Sequence, residues 1–120
     1  MMPARILVAE DEDTVAQVVI RTLKEAGHEV VRAENGWEAW REVQNQPFDL
    51  LVTDHVMPMM TGNHLVKRVR ELYPAMPVIL VTGYTDHETP TAYPGDITIM
   101  YKPFKHPALI AEVERLLTPR

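Results

Sequence analysis

Short apolar runs rich in β-branched residues alternate along this chain with segments whose apolar residues recur at helical spacing. The first run, residues 6–9, is continuous, as in strands that are buried on both faces of a parallel sheet. The next segment places Val15, Val19 and Leu23 on one helix face and ends at Gly27. Alternation of this kind predicts βαβ units with right-handed crossovers over a parallel sheet.

The same alternation continues along the chain and predicts five strands, at residues 5–9, 29–33, 48–53, 77–82 and 97–101. Helices are expected between the first four strands and after the fifth, the first of them with Asp13 or Thr14 as its N-cap. Residues 84–96 contain Pro90 and Pro94, which leave room for at most one or two helical turns. The helix before the fifth strand is therefore expected to be reduced, irregular or mobile.

Composition bounds the class of protein. The 120 residues suffice for one domain with its own core, and we expect a single domain over residues 1–120. A net charge of −5 argues against a nucleic-acid or anionic-membrane surface. The absence of cysteine excludes disulfides, cysteine-ligated zinc and thiol catalysis. With no membrane-spanning apolar run and no signal peptide, a cytoplasmic protein is expected.

Polar side chains follow four of the predicted strands, at the point where each strand ends. In chain order they are Glu10 and Asp11, Asp54, Thr82 and Lys102. If the strand order is flavodoxin-like, 2-1-3-4-5, these four strands are neighbours and the side chains converge on one crevice. Each residue alone would also suit a helix cap or a solvated loop, but five residues at four successive strand ends are hard to attribute to capping.

These residue types indicate a cation site that serves phosphoryl transfer. Carboxylates within ~4–6 Å repel one another unless a cation is present. An all-oxygen site favours a hard cation such as Mg²⁺. A lysine and a threonine beside it supply donors for phosphoryl oxygens. Asp54 is the candidate nucleophile, because Glu10 and Asp11 can hold the metal.

Four segments resemble the receiver domain of two-component response regulators: residues 6–12, 51–58, 81–84 and 102–104. They occur in the family's order and near its usual spacing, over nearly the whole chain. The resemblance implies an α/β fold, a flavodoxin-like doubly wound five-stranded parallel sheet of order 2-1-3-4-5. It also implies a cis peptide bond between Lys102 and Pro103.

The same resemblance implies a role for each acidic residue. Asp54 would accept a phosphoryl group from a phosphohistidine on a sensor histidine kinase or a phosphotransfer protein. Asp11 and Asp54 would bind Mg²⁺ directly, Glu10 would bind it through water, and the carbonyl of Val56 would be the remaining protein ligand.

Two further residues, and two departures from the family pattern, complete the interpretation. The resemblance implies that Thr82 donates a hydrogen bond to the phosphoryl oxygens and that Lys102 pairs with them. The first acidic site usually carries two aspartates, whereas here Glu10 takes the first position. The position of the usual switch aromatic is Ile99, for which Tyr101 could partly substitute.

Two classes of function follow. The favoured class is a phosphorylatable signalling switch, not an enzyme with a separate substrate, present as a stand-alone receiver or as a domain of a longer chain. The alternative is a pseudo-receiver that binds proteins without being phosphorylated. A flavin-binding protein of the same fold would need a phosphate loop after the first strand, where this chain is acidic. Surface or capping positions are expected for the histidines, which are His28, His55, His64, His87 and His106.

Overall fold

Five parallel strands form one sheet in the computed structural model, which describes residues 3–83 and 96–118. Along the chain they are β1 (Arg5–Ala9), β2 (Glu29–Ala33), β3 (Leu50–Asp54), β4 (Val78–Gly83) and β5 (Thr98–Lys102). Their spatial order is β2-β1-β3-β4-β5, which confirms the predicted flavodoxin-like order. The central strand β3 is buried along its whole length, which explains the apolar run of residues 50–52 at its start.

Helices cover both faces of the sheet. Within the described residues they are α1 (Asp13–Glu25), α2 (Gly36–Asn45), α3 (Gly62–Leu72) and α4 (His106–Leu117). Ile6 packs in the apolar cluster that includes α1 and α4, while its neighbour Leu7 packs in the cluster of α2 and α3. This alternation along β1 produces the doubly wound architecture. No helix in these two described ranges is long and apolar enough to cross a membrane.

The predicted reduction of the helix between β4 and β5 concerns residues 84–96, of which 84–95 lie outside the described residues. The predicted N-cap of α1 is wrong. Glu12 is the N-cap, and Asp13 is the first helical residue. The carboxylate of Asp13 pairs instead with Arg32 of β2, at 2.8 Å. Gly27 ends α1 as predicted, with a φ of 98° that favours glycine.

Two histidines differ from their expected surface or capping positions, because His28 and His55 are both buried. His28 lies in the turn between α1 and β2, and its Nδ1 accepts a hydrogen bond from the N–H of Ala4 at 3.1 Å. The backbone N–H of His55 donates to the carbonyl of Val81, so this residue extends the β3–β4 contact beyond Asp54.

The start of α2 lies directly against the loop that follows β3. A Cβ atom on Gly36 would lie 2.5 Å from the carbonyl oxygen of Met60 and 2.7 Å from its Cβ. Glycine is therefore required for this close approach. This loop, residues 55–61, also carries Val56. The contact at Met60 therefore holds the loop against α2, beside the carboxyl end of β3.

Candidate functional site

Three carboxylates meet at the carboxyl ends of β1 and β3. Glu10 and Asp11 follow β1, and Asp54 is the last residue of β3. One oxygen atom of each carboxylate lies within 4.8 Å of the others. Glu10 and Asp54 are buried, whereas Asp11 is exposed. An oxygen-only set of this charge suits a hard divalent cation such as Mg²⁺.

Lys102 reaches the carboxylates from the end of β5. Its Nζ lies 3.2 Å from Oδ2 of Asp54 and 3.3 Å from Oε1 of Glu10. Because β4 lies between β3 and β5, the lysine side chain spans the end of one strand to make these contacts. The Lys102–Pro103 peptide bond is cis, as the resemblance implied. One ammonium thus balances part of the charge of two buried carboxylates.

Burial and repulsion shift the protonation of this cluster. Desolvation, followed by repulsion from Asp54, raises the pKa of Glu10 from 4.5 to about 7. The N–H of Glu12, which donates to Oε2 of Glu10 at 3.2 Å, and the ammonium of Lys102 act in the opposite direction. Burial lowers the pKa of Lys102, but attraction to Asp54 and Glu10 outweighs it and raises that pKa overall. A cation that binds near neutral pH therefore competes with a proton on Glu10.

Thr82 and Val56 also lie at this edge of the sheet. Thr82 is buried and follows Val81, the β4 residue that pairs with Asp54. The N–H of Val56 donates to Oδ1 of Asp54 at 3.4 Å, while the Val56 side chain is exposed. The structure therefore brings every predicted site residue to the carboxyl edge of the sheet.

Sequence motifs did not single out Arg32, which also lies beside the site. Its Nε and Nη2 donate to the carbonyl oxygen of Glu10 at 3.3 and 3.0 Å, and its Nη1 pairs with Asp13. The sequence feature that could have indicated this contact is a positively charged residue near the end of the second strand, which lies next to the acidic end of the first strand. That signal is weak, because most charged residues at strand ends are solvated.

Comparison with known proteins adds an independent observation. The family model for the response regulator receiver domain matches residues 6–114, from β1 into α4. The receiver protein CpdR of Brucella abortus is 35% identical over 115 residues, which cover 94% of this chain and 96% of CpdR. The DNA-binding transcriptional regulator NtrC of Azospirillum brasilense is 34% identical, with 98% of this chain matched to 25% of that protein.

Solved structures show the same similarity in three dimensions. The crystal structure of a response regulator receiver protein from Sinorhizobium medicae superposes with a TM-score of 0.89 at 29% identity. The match covers 96% of this chain and 94% of that one. The similarity is therefore one of the whole fold.

Proposed function

This chain belongs to the response regulator receiver family, and from that membership we propose that it is a phosphorylatable signalling switch with Asp54 as its phosphoryl acceptor. The observation that carries the proposal is the surroundings of the Asp54 carboxylate. An ammonium lies 3.2 Å away, and two further carboxylates have oxygens within 4.8 Å. The nucleophile therefore has a counter-charge and a candidate cation site beside it.

The proposed cofactor is Mg²⁺. Glu10, Asp11, Asp54 and the backbone carbonyl of Val56 would hold it, and the oxygen-only donor set fits this ion. When bound, a divalent ion offsets the negative charge that carboxylates and phosphoryl oxygens bring together. Without such an ion, the phosphoryl group would have to approach a cluster of three acidic side chains.

The proposed donor is a phosphohistidine on a sensor histidine kinase or a phosphotransfer protein. A carboxylate oxygen of Asp54 forms a bond to phosphorus as the phosphorus–nitrogen bond breaks. The electron pair of that bond stays on the imidazole, which takes up a proton. Thr82 donates a hydrogen bond to a phosphoryl oxygen, and the ammonium of Lys102 pairs with the new charge.

The product is a signal held on the protein itself. A phosphoryl group adds about −1.5 to −2 charges, which gives Lys102 a stronger partner than the carboxylate alone. This difference in contact free energy can shift the equilibrium between two conformations that a downstream protein distinguishes. We therefore propose a phosphoacceptor domain and not an enzyme acting on a separate substrate.

Acetyl phosphate tests this function without knowledge of the partner kinase. Intact-mass measurement of the protein incubated with acetyl phosphate should show a phosphoryl adduct that requires Mg²⁺. Asp54→Asn should abolish the adduct. Asp49→Asn, an exposed change just before β3, should leave it unchanged. A wild-type protein with no adduct at saturating Mg²⁺ would favour the pseudo-receiver alternative.

A further inference from the structure

The segment from Glu10 to Asp13, called the acidic loop here, is attached to β2 by the side chain of Arg32 and by one backbone hydrogen bond. We propose that Arg32 is a positioning residue that holds this loop, and with it Glu10 and Asp11, in the orientation needed to bind the cation. The inference rests on the proposed function. It assigns a role to a residue outside the predicted set of metal and phosphoryl ligands.

The guanidinium of Arg32 contacts both ends of the acidic loop. Nε and Nη2 donate to the carbonyl oxygen of Glu10 at 3.3 and 3.0 Å, and Nη1 lies 2.8 Å from Oδ1 of Asp13. The N–H of Glu10 donates to the carbonyl of Ala33 at 3.1 Å. Both backbone polar groups of Glu10 are therefore bound to β2, and Asp11 lies between the two points of attachment.

The acidic loop needs such an attachment because of its own charge. It contains four consecutive acidic residues, Glu10 to Asp13, whose side chains repel one another. Its N-cap residue, Glu12, makes no side-chain capping bond to α1. Arg32 is half-buried, with 21% of its side chain exposed, so its hydrogen bonds to the carbonyl of Glu10 are partly shielded from water. Its ion pair with Asp13, whose side chain is 77% exposed, is screened and contributes less.

An arginine is suited to this bridge in a way that a lysine is not. The planar guanidinium presents its N–H groups in a fixed fork, so that one side chain reaches the carbonyl of Glu10 and the carboxylate of Asp13 together. A lysine ammonium at the same position keeps the charge but concentrates it at one point. Arg32→Lys therefore separates the loss of the bridge from the loss of charge.

The charge of Arg32 and its attachment of the acidic loop to β2 have opposite effects on cation binding. The positive charge of Arg32 repels a cation near Glu10 and Asp11, so its removal alone would tighten binding. The attachment holds the carboxylates in place, so its removal would weaken binding. Arg32→Met removes both, and the sign of the change in Mg²⁺ affinity shows which effect dominates.

Calorimetric titration of the metal-free protein with Mg²⁺ provides the first test. We expect Arg32→Lys and Arg32→Met to weaken Mg²⁺ binding by about tenfold, as for other residues that orient metal ligands. The matched control is Arg5→Met, which removes the same charge and an ion pair with Glu29 at the other end of the sheet. It should leave Mg²⁺ binding unchanged. Unchanged or tighter binding in both Arg32 variants would overturn the proposal.

Amide hydrogen exchange in the metal-free protein provides a second test that does not depend on phosphorylation. Exchange at Glu10 and Glu12, whose N–H groups are hydrogen-bonded, should accelerate in both Arg32 variants, while exchange at Leu51 in the centre of β3 stays as in the wild type. Equal acceleration at both places would show a general loss of stability and would also overturn the proposal. If the wild-type protein binds no Mg²⁺, the proposed function fails, and this exchange measurement still decides whether Arg32 holds the loop.

Discussion

Nζ of Lys102 lies 3.2 Å from Oδ2 of Asp54, so the ammonium and the proposed phosphoryl acceptor are paired before any phosphorylation occurs. The same ammonium lies 3.3 Å from Oε1 of Glu10. Phosphorylation would change the partner of Lys102 from a carboxylate to a more highly charged acyl phosphate. A contact whose strength differs between two states is the kind of contact that can shift a conformational equilibrium.

Lys102→Ala is therefore expected to uncouple phosphorylation from conformational change. The adduct on Asp54 should still form, but the changes in backbone amide NMR shifts that it causes in α4 should be largely lost. Lys67→Ala, an exposed change on α3, is the control and should keep them. If the NMR shift changes in Lys102→Ala are as large as those in the wild type, another residue transmits the signal.

Mg²⁺ binding should depend on pH through Glu10, whose pKa is raised to about 7 mainly by burial. Below that pH a proton occupies the carboxylate and competes with the cation. The apparent Mg²⁺ affinity should fall by up to about tenfold for each pH unit below the pKa, since one proton is displaced. Titrations at several pH values check this, and Glu10→Gln should remove most of the slope. An equal slope in that variant would assign the proton to another group.

Protonation of His28 should remove one contribution to the stability of the protein in mild acid. Burial lowers its pKa from 6.5, with Glu114 acting in the opposite direction. The unfolded state then binds a proton at a higher pH than the folded state does. The contribution of His28 is complete above pH 6.5 and is lost as the pH falls through the folded-state pKa.

Urea unfolding of the metal-free protein across this pH range tests the role of His28. Relative to the wild type, the unfolding free energy of His28→Gln should rise as the pH falls through this range, while that of His64→Gln, an exposed change on α3, should not. Comparison with the wild type is needed because Glu10 acts with the opposite sign. Its raised pKa stabilises the fold fully below pH 4.5, and this contribution is lost as the pH rises through about 7. Identical pH profiles for His28→Gln and wild type would refute the assignment.

Gly36→Ala should destabilise the fold and disturb the loop that carries Val56. The added Cβ would lie 2.5 Å from the carbonyl oxygen of Met60, so α2 or the loop must move. We expect a loss of roughly 1–3 kcal/mol in the free energy of unfolding, as for other overpacked sites. Asn45→Ala at the exposed end of α2 is the control. Unfolding free energies that agree for Gly36→Ala and wild type would contradict the tight contact.

Much of the fold follows from local sequence because both faces of the central strands are covered. Ile6 and Leu7 are consecutive apolar residues that belong to different clusters, and an uninterrupted apolar run is the pattern such a strand requires. The meeting of Asp54 and Lys102 could also be predicted. Strands that run parallel place their carboxyl ends at one edge, even for residues 48 positions apart in the chain.

Contacts set by side-chain direction and by packing between elements could not be predicted in this way. Arg32 and Glu10 are 22 residues apart, and their hydrogen bonds depend on how one side chain turns at the end of β2. His28 follows a glycine in a turn, which is a pattern typical of the surface. Its burial depends on the nearby N-terminal residue Ala4, which no local pattern reveals.

The most direct test of the account is to locate the phosphoryl group on the chain. The protein is treated with acetyl phosphate and Mg²⁺, the acyl phosphate is reduced with borohydride, and tandem mass spectrometry identifies the reduced residue. We predict reduction at position 54 in the wild-type protein, and none without Mg²⁺ or in Asp54→Asn. Reduction at another acidic residue, or at none in the wild-type protein with Mg²⁺, would contradict the assignment of Asp54 as the acceptor.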